Sequence, residues 1–258
     1  RDRCRKSPTP ARLGIKSAMN EFTVSLPVVA QLLSGERAGL WPIVLLSLQV
    51  SAAAAVLAGL LGLPLAAAIA LFEFRGRTVL IAVLNALMGL PAVVVGLLVY
   101  LLLSRAGPLG SLGILFTPTA MMVAQTVLVL PLVAALSRQI LEDALRELGP
   151  YLRSLKASPL DRIMTVLAES RLSLLTALLA GFGRAAAEVG AVMIVGGNID
   201  GVTRTMTTAI ALETSKGDLA LALALGLILV FLVLLVNLCA QVIKTRAIKA
   251  QGGGAGRG

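Results

Sequence analysis

The sequence predicts an all-α membrane protein, a polytopic helical bundle of about five transmembrane spans. Two observations carry this. The chain is 57% apolar and only 14% charged, with a mean hydropathy of +0.92, whereas an ordinary soluble domain is about a quarter charged. The charges are also segregated. Segments 41–72, 78–104, 106–137 and 219–243 contain no charged residue, and 172–197 is interrupted only by Arg184 and Glu188. Each exceeds the roughly 20 apolar residues a helix needs to cross a bilayer. In hydrocarbon every backbone N–H and C=O must be satisfied internally, which a helix does within one segment. The alternating pattern of a membrane β-barrel is absent.

In chain order, residues 1–18 carry six positive side chains and one Asp. They read as a remnant, a misplaced start or a processed leader, and Met19 reads as a natural beginning. Segment 19–40 includes an apolar run, 22–33, too short to span, so an interfacial helix is expected there. The remainder divides into a membrane domain over 41–243, with a polar insertion at 142–170, and a tail over 244–258 whose glycine-rich end has no means of forming a core. Pro64, Pro91 and Pro131 fall inside or near the spans, where each removes a hydrogen bond and bends a helix. Ordinary packing variation is the preferred reading, with a gating hinge as the alternative.

Lysine and arginine bias sets the expected orientation. Arg75, Arg77, Arg138, Arg146, Arg153, Lys156, Arg162, Arg171, Lys244, Arg246, Lys249 and Arg257 fall on one side, against Arg105, Arg204 and Lys216 in the opposite loops. The first set, with the C-terminus, is therefore expected in the cytoplasm. An odd number of spans then puts the N-terminus outside, against the charge of residues 1–18.

Several chemistries are excluded. With no His in the chain and only two Cys, a His-based triad, a His-ligated metal and a disulfide framework have no residues to use. No G-x-x-x-x-G-K-[ST] phosphate loop occurs, so ATP hydrolysis would need another subunit. No metal or other cofactor bound by this chain is expected, and no nucleic-acid partner.

Arg184 and Glu188 are four residues apart and share a helical face. Ionisable residues inside a span are costly and face the protein interior or a water-filled path. Either Arg184 attracts an anion in a conduit with Glu188 orienting it, or the two form a structural pair. The structural role is preferred, because a permanent tight site would slow release. Ala177, Gly181 and Ala185 form a small-residue stripe suited to close packing, which makes this span a candidate for a path or a dimer interface. Beyond it lie Asn198, Thr203, Arg204, Thr205, Thr207 and Thr208. Hydroxyls, amides and an arginine suit a tetrahedral oxyanion, and they equally suit a loop that closes the bundle.

The polar, helix-compatible stretch GPYLRSLKASPLDRIMTVLAESR at 149–171, followed by LSLLTALLAGFGRAAAEVGAVMIVGGNI, resembles the permease subunit of ABC importers. Together with YLLLSRAGPLG at 100–110, LFTPTAMMVAQ at 115–125 and GFGRAAAEVGAVMIVGGNIDGVTRTMTTAIALETSKGD at 181–218, it is similar to the tungstate-type oxyanion permeases over most of 20–242. Molybdate and sulfate permeases are related alternatives. The resemblance implies a type I importer fold, a second copy of the chain, a cytoplasmic ABC ATPase and an extracytoplasmic oxyanion-binding protein as partners, and the inner membrane of a prokaryote as location. It also implies that 142–170 carries a coupling helix seated in a groove of the ATPase.

The family's coupling pattern is Glu-Ala-Ala, three residues, Gly, nine residues, Ile, one residue, Leu-Pro. Placing its glycine at Gly149 puts Asp143, Ala144 and Leu145 on the triplet but Pro159 on the apolar position. Placing it at Lys156 aligns Val166 with that position and fits the flanking text better, although Pro150, Tyr151 and Leu152 then replace the triplet and Ala168-Glu169 the Leu-Pro. The coupling residues are then Leu155, Lys156, Ala157, Ser158, Pro159 and Leu160. Lysine in place of glycine disfavours a left-handed turn, so a more continuous helix is expected here. A secondary transporter is the runner-up, though no internal repeat is visible. A membrane-embedded enzyme is the rival class, and it has few catalytic side chains to work with.

Overall fold

The charge-free run after Leu40 folds as one helix, α1 (Leu40–Leu71), with Pro64 inside it. The computed structural model describes residues 27–29, 31 and 40–252. The expected remnant at 1–18, most of the expected interfacial segment 19–40 and the end of the expected tail lie outside the described residues. After α1 come α2 (Arg77–Leu87), α3 (Ala92–Leu103), a single 3-10 turn (Gly110–Leu112), α4 (Pro118–Ser154), α5 (Pro159–Ala186), α6 (Gly190–Gly196), α7 (Met206–Lys216) and α8 (Leu219–Gly252). There is no strand among the described residues. The first part of the expected tail is therefore helical, as a continuation of α8.

Helices α1 and α4 run side by side in the same direction. Val50 meets Met121, Ala54 and Ala58 meet Val129 and Val133, and Ala66 meets Leu141. The chain must therefore return between them. The return begins at Arg77, which reaches Glu142. It ends where the Tyr100 ring lies 6.1 Å from that of Phe116, just before α4. Helices α2 and α3 together cover this height, bent by 101° at a four-residue break.

The expected single span over 78–104 is thus one pass made of two pieces. Pro91 explains the break, since it lacks an N–H and disfavours helix in the residue before it. With α1, α4, α5 and α8 long and apolar enough to cross a membrane, the bent pair, taken as one span, gives five candidate spans among the described residues.

The third expected span starts later and ends later than 106–137. Residues 106–117 form a loop, and α4 opens at Pro118 with the Thr117 side chain accepting from the Ala120 N–H. At 37 residues α4 is about 55 Å long, well beyond the roughly 30 Å hydrocarbon core. Its last turns and the first turns of α5 make a helical hairpin projecting from one end of the bundle. The insertion at 142–170 is therefore the continuation of two long helices around a short turn.

Helix α5 runs back beside α1 and α4. Leu152, Val166 and Leu174 pack near Ala66 and Leu141, and Ala185 packs near Val129 and Ala54. The small-residue stripe lies on this inner face. A Cβ on Gly181 would stand 2.7 Å from Val133 and 2.9 Å from Val129, while Ala177 and Ala185 are buried. It is consumed by packing on α4 within the chain, not offered to a second copy. Without a hydrophobic drive between helices in lipid, such close approach is what holds them together.

Candidate functional site

The expected continuous span 172–197 is broken. Helix α5 ends at Ala186 and α6 starts at Gly190, with Ala187, Glu188 and Val189 between them. Arg184 and Glu188 therefore sit at a helix end. Nη1 of Arg184 donates to Oε2 of Glu188 at 2.6 Å, and Oε1 accepts from the Ala191 N–H at 3.3 Å. The carboxylate thus satisfies the start of α6 while neutralising Arg184, the arrangement favoured at a helix N-terminus. Glu188 is 6% exposed and Arg184 39%. Two turns below the start of α4, Nε2 of the buried Gln125 donates to the Ala185 carbonyl at 3.0 Å.

Thr207 on the first turn of α7 donates to the main-chain oxygen of Glu188 at 2.8 Å. Thr208 accepts from the Thr205 N–H at 2.9 Å, and the Thr205 hydroxyl lies 3.2 Å from those of both Thr207 and Thr208. Thr203 donates to the Gly196 carbonyl at 2.6 Å and accepts from the Ile199 N–H at 2.9 Å. These hydroxyls are buried and engaged in closing the turn. Arg204 pairs with Asp200 at 3.0 Å. Its Nε, like Oδ1 of Asn198, is buried without a hydrogen-bond partner. Asn198 holds a left-handed conformation with φ 50° directly after Gly197. So the structure joins Arg184, Glu188 and Thr207 in one cluster, and Asn198, Thr203 and Arg204 in the adjoining turn.

At the opposite end, the α4–α5 turn corrects the expectation of a more continuous helix. Lys156 is left-handed, with φ 51°. Its N–H bonds the Arg153 carbonyl and the Ala157 N–H bonds the Leu152 carbonyl, both at 3.0 Å. That is the Schellman closure, with lysine where glycine is usual. Ser158 then caps α5 in a capping box with Asp161, and Pro159 takes the first helical position. Tyr151, Leu155, Leu160 and Met164 are all more than half exposed around this tip.

The sequence is similar to several known proteins over most of its length. It is 42% identical over 213 residues to a probable anion ABC transporter permease protein of Haloferax volcanii, covering 81% of this chain and 92% of that protein. It is 40% identical over 197 residues to the tungstate uptake system permease protein TupB of Peptoclostridium acidaminophilum, covering 76% and 86%. Against TupB of Campylobacter jejuni it is 39% identical over 173 residues, covering 67% and 72%. The chain belongs to the oxyanion ABC transporter permease family. No family model matches it.

Three features of this permease were not singled out from sequence. Gln125 is a lone amide within an apolar span, and that isolation is its signal. Glu142 receives Nη2 of Arg77 at 2.5 Å and Nη1 of Arg138 at 2.6 Å, while Nε of Arg77 donates to the Ile69 carbonyl at 2.8 Å. This network locks the α1–α2 connection onto α4. Only its Arg138–Glu142 half has a sequence signal, the four-residue spacing. The third is a cleft of about 570 Å³ beside the hairpin, lined by Arg77, Arg146, Arg153 and Arg162.

Proposed function

We propose that this permease forms the membrane path of an ATP-driven importer for tungstate, embedded as a pair of identical chains in a prokaryotic plasma membrane. An exported binding protein delivers the anion, and a separate ATPase drives the cycle. The observation that carries the reading is the α4–α5 hairpin. It extends past the length a bilayer needs and presents Tyr151, Leu155, Leu160 and Met164 at its tip. Apolar side chains exposed together beyond the membrane favour a protein partner. In this reading Leu155, Lys156, Ala157, Ser158, Pro159 and Leu160 enter the ATPase groove, and the arginine-rich end and C-terminus lie in the cytoplasm.

Arg184 and Glu188 hold the α5–α6 break beside the path, with Arg184 the more exposed of the two. Thr203 and Thr207 brace the turn. Arg204 and Asn198, whose buried polar atoms have spare bonding capacity, make transient contact with the passing anion. Tungstate is preferred because two of the relatives are named for tungstate uptake. More distant relatives named for molybdenum and sulfate transport make those anions the alternatives.

The test is reconstitution of the permease with its binding protein and ATPase in liposomes. Tungstate should stimulate ATP hydrolysis and uptake more than molybdate, and sulfate least. Stimulation by sulfate equal to that by tungstate would reassign the substrate. Charge reversal at Lys156 or a bulky side chain at Ala157 should abolish uptake and release the ATPase, with insertion into the membrane unchanged. Unaltered co-purification and uptake in both variants would reduce the hairpin to a connector.

A further inference from the structure

The cleft beside the hairpin is built from three elements. The end of α1 and its connection contribute Leu71 and Glu73, and α4 contributes the stripe Glu142, Arg146, Gly149 and Arg153. The first turns of α5 contribute Arg162. Residues spaced three and four apart share a helical face, so α4 presents its arginines here together. Both oxygens of Glu142 are already taken by Arg77 and Arg138. Arg146 has only a 3.8 Å approach to Asp143. Arg153 and Arg162 make no ion pair among the described residues, and Nε of Arg162 is buried with no hydrogen-bond partner. A buried donor left unbonded beside a polar cleft calls for a partner, which an ion or a water can supply.

Gly149 has a use in the same place. It is buried in the interior of α4, where glycine costs about 1 kcal/mol against alanine. A Cβ there would meet only Nη2 of Arg153, at 3.9 Å. Its bare Cα therefore leaves room in the cleft floor; helix packing does not demand it.

We propose that this cleft binds a phosphate-type tetrahedral oxyanion between Arg153, Arg162 and Arg146, supplied either as a free anion or as the phosphate of an acidic lipid headgroup. Four arginines against Glu73 and Glu142 leave the cleft net positive. The guanidinium fork matches such an anion in two-point contacts, and basic pockets at helix ends hold acidic headgroups. Bound there, the anion ties the end of α4 and the start of α5 to the α1–α2 connection and stiffens the hairpin. None of this rests on which anion the permease transports.

The experiment uses the full chain in nanodiscs and follows its thermal unfolding midpoint. One arm has phosphatidylcholine discs titrated with inorganic phosphate. The other compares phosphatidylcholine discs with discs containing phosphatidic acid. A rise in the first arm assigns a free anion, and a rise in the second alone assigns the headgroup. The double variant Arg153→Gln, Arg162→Gln should weaken the response by about tenfold or more in concentration. Gly149→Leu, which keeps every charge and favours the helix, should abolish it by filling the floor. No rise in either arm, or an equal rise in the wild type and both variants, overturns the proposal.

Discussion

The hydroxyl of Thr207 donates to the main-chain oxygen of Glu188 across 2.8 Å, and this bond joins the break after α5 to the first turn of α7. A carbonyl at a helix end has no partner within its own helix, so the hydroxyl supplies what the break removes. Thr207→Val keeps the shape and strands that oxygen. It should cost about 1–3 kcal/mol, seen as a lower unfolding midpoint in detergent, while Thr207→Ser should stay near wild type. Equal midpoints for the wild type and the valine variant would mean that the bond contributes nothing.

Gly96 is where α3 meets α6 most closely. A Cβ there would stand 2.6 Å from the Ala191 Cα and 3.3 Å from its carbonyl oxygen. Backbone atoms cannot rotate away as a side chain would, so Gly96→Ala forces the helices apart at a cost of about 1–3 kcal/mol. Gly226 in α8 has nothing within 4 Å of the same position, so Gly226→Ala should be neutral or stabilising. Thermal unfolding of the two variants side by side checks this. A Gly96→Ala protein as stable as the Gly226→Ala protein would contradict the packing described here.

The helices were legible because lipid leaves a plain signature, long runs without charge. The breaks within them were not. Leu87 to Pro91 is apolar throughout, so hydropathy passes over the bend, and Pro91 alone marks it. The α5–α6 break has no proline at all. It is held by Glu188 bonding the Ala191 N–H and by Thr207, partners that sequence spacing cannot reveal. Likewise the arginines of the cleft read as solvated charges until α4 is known to continue to Ser154. Lys156 was misjudged from its intrinsic preference, because two main-chain bonds and the cap at Ser158 outweigh it.

That residue yields a stabilising prediction. A lysine held at φ 51° carries a Cβ penalty of about 1 kcal/mol that glycine does not. Lys156→Gly should therefore raise the unfolding midpoint slightly, offset in part by the greater freedom of glycine in the unfolded chain. Lys156→Val, β-branched at the same φ, should lower it. A lower midpoint for glycine than for valine would show that the left-handed turn is not retained in solution.

The direction of the passes can be read with reporters. Arg77 and Glu142 meet at one end of the bundle, and Gly110 follows α3 at the other. With the arginine-rich end inside, alkaline phosphatase fused after Gly110 should be active and a fluorescent protein fused after Lys249 should fold in the cytoplasm. An inactive phosphatase at Gly110, with the fusion intact, would reverse the orientation or remove the second pass.

Arg184 and Glu188 separate a structural pair from a path element. Arg184→Ala leaves a carboxylate that is only 6% exposed without its cation, at a cost of about 3 kcal/mol. It should reduce assembly whichever role is correct, so by itself it decides nothing. Arg184→Met with Glu188→Leu removes both charges while keeping bulk, and replacing a buried pair in this way is often neutral. Ala191 N–H loses its acceptor, a smaller loss than an orphaned charge. If the pair only fastens the α5–α6 break, the double variant should be purified in normal yield and should retain anion uptake in liposomes. Normal yield with uptake abolished would place the pair in the path, where Arg184 offers its positive charge to the passing anion.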